Sequence, residues 1–110
     1  MDRDNLEVLQ GTLDLLLLKA LQLEPLHGYA IARRVEQLSG DALRVEEGSL
    51  YPALHRMEER GWVDSDWGLS ENNRRARFYK LTRKGRKQLG SQTDDWKRLS
   101  LGILRVLESE

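Results

Sequence analysis

The chain has 110 residues, 39% hydrophobic and 33% charged, with a formal net charge of zero: a single domain by length, whose core is small enough for a partner subunit to add to it. It has no cysteine, which excludes disulfides and thiolate metal sites, and its start, MDRDNLEVLQ, lacks the basic lead and apolar run of a signal peptide. The longest apolar run, Leu15 to Leu18, is far too short to span a bilayer, so the expectation is a soluble cytoplasmic protein with no membrane partner.

In chain order, the first predicted helix covers residues 9–23. Leu13, Leu16, Leu17 and Ala20 form one stripe, but Leu9, Leu15 and Leu18 are apolar too. A helix apolar on more than one side is expected to be buried on more than one side, the second facing another helix or another subunit. Pro25 ends it. The second helix is predicted over residues 27–39, with Ile31, Val35 and Leu38 inward and Gly40 as a left-handed C-terminal cap. The third lies in EEGSLYPALHRMEERGW, residues 46–62, where Leu50, Ala53, Leu54 and Met57 recur at i, i+3, i+4 and i+7. Either Ser49 caps it, with Pro52 in the first turn, or it starts near Glu46 and Pro52 removes an internal hydrogen bond. Gly61 closes it.

Two strands follow, residues 62–67 and 77–81, joined by a connection containing Asn72, Asn73 and two arginines. Thr82 is the predicted N-cap of a fourth helix reaching about residue 107. Leu89, Trp96 and Ile103 stand seven apart along it, with Leu99 and Val106 in a second row. Gly90 and Gly102 weaken this helix in isolation by about 1 kcal/mol each, so it needs a partner.

Zero net charge hides a local excess. Arg74, Arg75, Arg77, Lys80, Arg83, Lys84, Arg86 and Lys87 fall within residues 71–87, where Glu71 is the only acid. Such a segment either tracks a phosphate backbone or is a solvated charged face. Four of the bases open the fourth helix, where positive charge opposes the macrodipole; a nearby phosphate backbone or salt bridges elsewhere would account for them.

Three helices followed by a basic hairpin predict a mainly α fold with a small β-hairpin: a winged helix-turn-helix over residues 1–81, and a long C-terminal dimerisation helix over residues 82–110. In helix-turn-helix proteins the recognition helix enters the major groove. The apolar stripe of the third helix then holds the core, leaving Ser49, Tyr51, Pro52, His55 and Arg56 to face DNA. Arg56 suits a guanine edge or a phosphate, Ser49 and Tyr51 suit phosphates, and Pro52 suits a thymine methyl. The hairpin loop, with Arg74 and Arg75, is the expected wing, and Arg77 and Lys80 lie on its second strand, Lys80 adding a backbone contact. The competing assignments are core packing for Tyr51, plain exposure for His55, and a salt bridge to Glu59 for Arg56.

The segments GTLDLLLLKAL, HGYAIARRVE, EEGSLYPALHRMEERGW and RRARFYKLTRKGRKQL resemble the PadR family of bacterial transcriptional regulators, from about residue 9 to 89. SLYPALHRME is the most specific part. The resemblance implies a homodimeric repressor of a dyad-symmetric operator near its own or a neighbouring gene, with Tyr51, Pro52, His55 and Arg56 on the DNA-reading face. The single terminal helix resembles the short branch of the family, whose first and last helices form the dimer. That places Leu15, Leu18, Leu89, Trp96, Leu99, Ile103 and Val106 at the expected interface. In drug-sensing members aromatic residues of the terminal helices stack on flat ligands, and Trp96 is the matching candidate; the other assignment is interface core. Beside it, Asp94 and Asp95 suit a cationic ligand or form a solvated pair.

An enzyme is not expected. His27 and His55 are isolated, no phosphate-cradling loop is present, and no nucleophile, base and orienting acid come together; no cofactor or metal is implied. The competing class is a winged helix used as a protein-interaction module, which has no need of a basic wing. RNA binding is disfavoured by the lack of an aromatic platform for unpaired bases.

Overall fold

Helix α1 (Gln10–Ala20), the strand β2 (Leu26–His27), α2 (Gly28–Leu38), α3 (Glu47–Glu59), the hairpin β4 (Val63–Leu69) and β5 (Arg75–Leu81), and α4 (Arg83–Glu108) follow one another in the computed structural model. Two-residue strands β1 (Leu6–Glu7) and β3 (Leu43–Arg44) pair in parallel. The structure describes residues 6, 7 and 10–110; Leu9, placed at the first helix by its sequence, lies outside them. The order β2-β5-β4 makes an antiparallel sheet. With the three helices ahead of it, this is the expected winged helix-turn-helix with a long terminal helix.

The core gathers what the helical periodicity selects. Leu13, Leu17, Leu18 and Ala20 of α1 meet Ile31 and Val35 of α2, and Leu50, Ala53, Leu54 and Met57 of α3, with Val63, Tyr79 and Leu81 of the sheet closing the side. Each fully buried leucine contributes about 1.5–3 kcal/mol relative to an exposed one. Leu38 is exposed, contrary to its expected inward place. It ends α2, and the chain turns away through Gly40 and Asp41, both at positive φ.

Element ends differ from the sequence reading in instructive ways. α1 stops at Ala20 rather than near residue 23, closing with a turn in which the Gln22 N–H donates to the Lys19 carbonyl. His27 caps α2: its Nδ1 accepts from the Ala30 N–H. Of the two expected starts of α3, the earlier one holds: Glu46, not Ser49, is the N-cap, so Pro52 sits inside the helix and gives no bond to the Gly48 carbonyl. The two hairpin strands run two residues further toward the loop at each side than the sequence indicates, to Leu69 and from Arg75. Arg75 is therefore a strand residue, not a loop residue.

Thr82 caps α4 as expected, its hydroxyl oxygen accepting from the Gly85 N–H at 3.0 Å. The same hydroxyl points its proton toward the carbonyls of Gly61 at 2.6 Å and Trp62 at 3.0 Å. A Cβ on Gly85 would lie 2.0 Å from the Trp62 carbonyl oxygen, so only glycine lets the start of α4 approach the end of α3 this closely. Arg86 reaches back and donates to the Gln22 carbonyl at 3.2 Å, tying α4 to the turn after α1.

Two assignments to a partner-facing side are corrected here. Leu18 is fully buried within this chain, and Leu89 nearly so, because the first turns of α4 pack against α1 and bring Leu89 into the protomer's own core. Leu18 is closed to a second subunit, and Leu89 shows only the edge that borders a cleft. Leu15 is only partly buried; with Leu16, Lys19 and Leu89 it lines a cleft between α1 and α4 that continues to Thr93 and Asp94. Beyond Leu89, α4 leaves the core. Trp96 (47% exposed), Leu99 (60%), Ile103 (49%) and Val106 (73%) have nothing of their own chain over them, and Leu101, Leu104 and Leu107 are also exposed.

Candidate nucleic-acid interface

α3 shows two faces, as its pattern requires. Leu50, Ala53, Leu54 and Met57 are buried, while Ser49, Tyr51, Pro52 and His55 are exposed. Tyr51 does two things at once. A Cβ at Gly28 would fall within 2.6–2.8 Å of its ring and hydroxyl, so the ring lies over the first turn of α2 while its outer side stays open to solvent. Glycine at position 28 is what makes room for it.

Arg56 is less free than its position implied. Its guanidinium Nη2 lies 3.4 Å from Oδ1 of Asp14 on α1, and Arg60 approaches the other oxygen of that carboxylate at 3.9 Å. The expected alternative, Glu59, instead faces His55 one helical turn away, at 3.5 Å. Asp14 thus ties the recognition helix to α1 through two arginines, a contact between residues 42 positions apart that no local pattern announces.

The wing turns through residues 70–74. The Ser70 N–H donates to the Arg74 carbonyl, the Asn73 N–H donates to the Ser70 carbonyl, both at 2.8 Å, and Asn73 adopts φ +60°. Arg74 is exposed. Glu71 is exposed as well, yet its carboxylate accepts from His27 Nε2 at 3.2 Å. Since Nδ1 of that ring accepts from the Ala30 N–H, the neutral tautomer with its proton on Nε2 satisfies both contacts. His27 therefore links the wing tip to the start of α2, a role its isolation in sequence concealed.

Strand register sorts the wing residues by side. Val63↔Leu81, Ser65↔Tyr79, Trp67↔Arg77 and Leu69↔Arg75 are paired across the ladder, and alternation puts these eight on one face. Lys80 pairs with Asp64 and lies on the opposite face, away from Arg75 and Arg77; it does not join them as one basic surface. Arg77 is held tightly. Its Nε donates to Ser65 Oγ at 2.8 Å, that hydroxyl donates to Glu58 Oε2 at 2.6 Å, and the guanidinium lies 3.8 Å from the same carboxylate. Tyr51, His55, Glu58, Glu59, Arg77 and Tyr79 line the groove between recognition helix and wing. Burial raises the Tyr79 phenol above its ordinary range; Arg77 pulls it back, while Glu58 and Tyr51 push it up further.

Arg83, Lys84 and Lys87, on the exposed side of the first turns of α4, form no ion pair among the described residues. Also among the described residues, no three His, Asp or Glu side chains gather as a metal site, and no helix is long and apolar enough to cross a membrane.

This arrangement can be compared with known proteins. The PadR-like transcriptional regulator family matches residues 17–91, from the middle of α1 through both faces of α3 and the wing into α4. The chain belongs to that family. A PadR family transcriptional regulator from Eggerthella lenta has a similar structure, with a TM-score of 0.76 and 30% identity, over 92% of this chain and 86% of its own. A PadR-like regulator from Bacillus cereus gives a TM-score of 0.76 at 26% identity, over 92% and 96% of the two chains. A 37.1 kDa protein from a Streptomyces fradiae transposon is 43% identical over 86% of this chain, which spans only a quarter of that protein's length. As a PadR-family member with this winged-helix fold, the protein is a DNA-binding transcription regulator.

Proposed function

We propose that the protein is a homodimeric repressor that binds a dyad-symmetric operator in double-stranded DNA, at its own or a neighbouring promoter. The observation that carries the dimer is the unburied apolar length of α4. Trp96, Leu99, Ile103 and Val106 keep the spacing of a helix–helix seam and have no cover within the chain. A second copy supplies a matching seam, since a two-fold contact sets the same patch against itself. Two recognition helices related by that axis engage successive major grooves, about 34–36 Å apart.

In this reading Ser49, Tyr51, Pro52 and His55 face the groove, and Arg56 joins them by exchanging Asp14 for DNA. Arg74 and Arg75 carry the wing's phosphate contacts, and Arg83, Lys84 and Lys87 extend the positive surface. Arg77 and Lys80 are secondary, the first being engaged by Glu58 and Ser65 and the second lying on the far side of the sheet. Trp96, exposed near the start of the seam, is where a flat aromatic effector would stack. Such a ligand releases DNA only through its difference in affinity for the two arrangements of the dimer; loss of its binding in a folded Trp96→Ala variant tests that role.

The experiment is fluorescence anisotropy with the duplex upstream of the protein's own gene against a shuffled duplex, across a salt series. Tight binding to the native duplex alone, with a steep salt slope, is expected. Equal, weak binding to both would sink autoregulation.

A further inference from the structure

We propose that Trp67 is a positioning residue of the wing, holding Arg75 in the orientation in which it meets a DNA backbone. This rests on the DNA-binding reading above. Trp67 is 53% exposed on β4, with Leu69 also exposed beside it, an unusual place for a large ring with no core to join. What lies against it is cationic. The Arg75 guanidinium is 4.5 Å from the ring centroid and that of Arg77 is 5.5 Å away. Both fall within the range of a cation–π contact, which is strongest for tryptophan.

The ladder explains why one ring receives two arginines. Arg77 stands directly across from Trp67, and Arg75 is the diagonal neighbour on the same face. The two then differ. Arg77 is bonded to Ser65 and faces Glu58 of α3, so its charge is matched within the chain. Arg75 forms no ion pair among the described residues, and Trp67 is the contact that orders it.

A guanidinium that lies against a ring uses its flat face and keeps its in-plane N–H groups for another partner. The contact with Trp67 orders Arg75, and no acid among the described residues takes its N–H groups, which removes part of the ordering cost of meeting a phosphate. The contacts run without a break from Glu58 on the recognition helix through Ser65 and Arg77 to Trp67 and Arg75. The ring thus sets the wing cation relative to α3.

The test is a double-mutant cycle on the full chain, using native and shuffled duplexes in the same anisotropy salt series, with folding checked by circular dichroism and thermal melting. Trp67→Leu keeps an apolar strand residue but has no π face. It is expected to weaken binding about 2–5-fold on both duplexes, in keeping with a cation–π contact at an exposed site, and Trp67→Tyr is expected to restore most of the loss. In an Arg75→Ala background Trp67→Leu should change little, because its effect passes through Arg75. Wild-type affinity in a folded Trp67→Leu variant, or an equal loss in both backgrounds, overturns the proposal. Should Trp67→Leu fail to fold, Trp67→Phe takes its place, and its smaller loss must likewise vanish in the Arg75→Ala background. Wild-type protein that binds neither duplex would instead count against the DNA-binding reading itself, and the inference would fall with it.

Discussion

α1 and the distal half of α4 read alike in sequence and end in opposite environments. Both are leucine-rich and apolar on more than one side. In α1 the leucines Leu13, Leu17 and Leu18 are closed off by α2, α3 and the first turns of α4, whereas from Trp96 to Leu107 every large apolar side chain of α4 is at least 47% exposed. The difference teaches that apolar periodicity reports a need for cover, not where the cover comes from. α1 finds it within its chain because three elements converge on it. α4 leaves the core after Leu89 and must find it elsewhere.

That comparison can be broken most forcefully on the α1 side. Leu18→Ala is expected to destabilise by about 2–5 kcal/mol through the cavity it leaves. The shift in urea midpoint should appear at every protein concentration, since the lost contacts are internal. Ile103→Asp probes the other side. It should leave the fold of residues 10–89 intact by circular dichroism, yet raise the dimer dissociation constant by about 100-fold, or roughly 3 kcal/mol, in sedimentation equilibrium. An unchanged association constant would remove this face of α4 as the dimer seam.

The wing and the recognition helix offer a second, smaller contrast. Around α3, Arg56 is matched by Asp14 and His55 by Glu59, but Arg74 and Arg75 of the wing carry no acid among the described residues. Replacing Arg74 and Arg75 together by alanine should weaken binding to native and shuffled duplexes alike and make the salt slope shallower by about 2, close to one per lost phosphate contact. An unaltered slope would show that these arginines do not touch the backbone. The smallest expected effect lies in the groove between wing and helix. Burial favours the neutral Tyr79 phenol in the folded chain and raises its titration above 10.0. The unfolded chain therefore releases that proton first, and stability should fall as pH rises past about 10. Tyr79→Phe should flatten that decline in urea titrations at successive pH values.

Much of the molecule follows from local patterns that act over one or two turns. The apolar stripe Leu50, Ala53, Leu54, Met57 established α3 and which of its faces is free. Thr82 with Gly85 marked the start of α4, and the order of helices and strands gave the winged helix together with the family resemblance. The strands β1, β2 and β3 were not legible, because two residues of extended chain have no periodicity, and only a partner strand defines them. For the same reason the sequence could list the basic residues but not sort them. Whether Arg75, Arg77 and Lys80 share a side depends on ladder register, and whether Arg56 is free depends on Asp14, 42 residues away. Sequence by itself determined the four helices, the hairpin, the fold and which face of α3 stays free, since side-chain period and caps are local properties. Tertiary structure alone decided which leucines stay exposed and which arginines stay without an acid, because burial and charge pairing are settled only when distant segments meet.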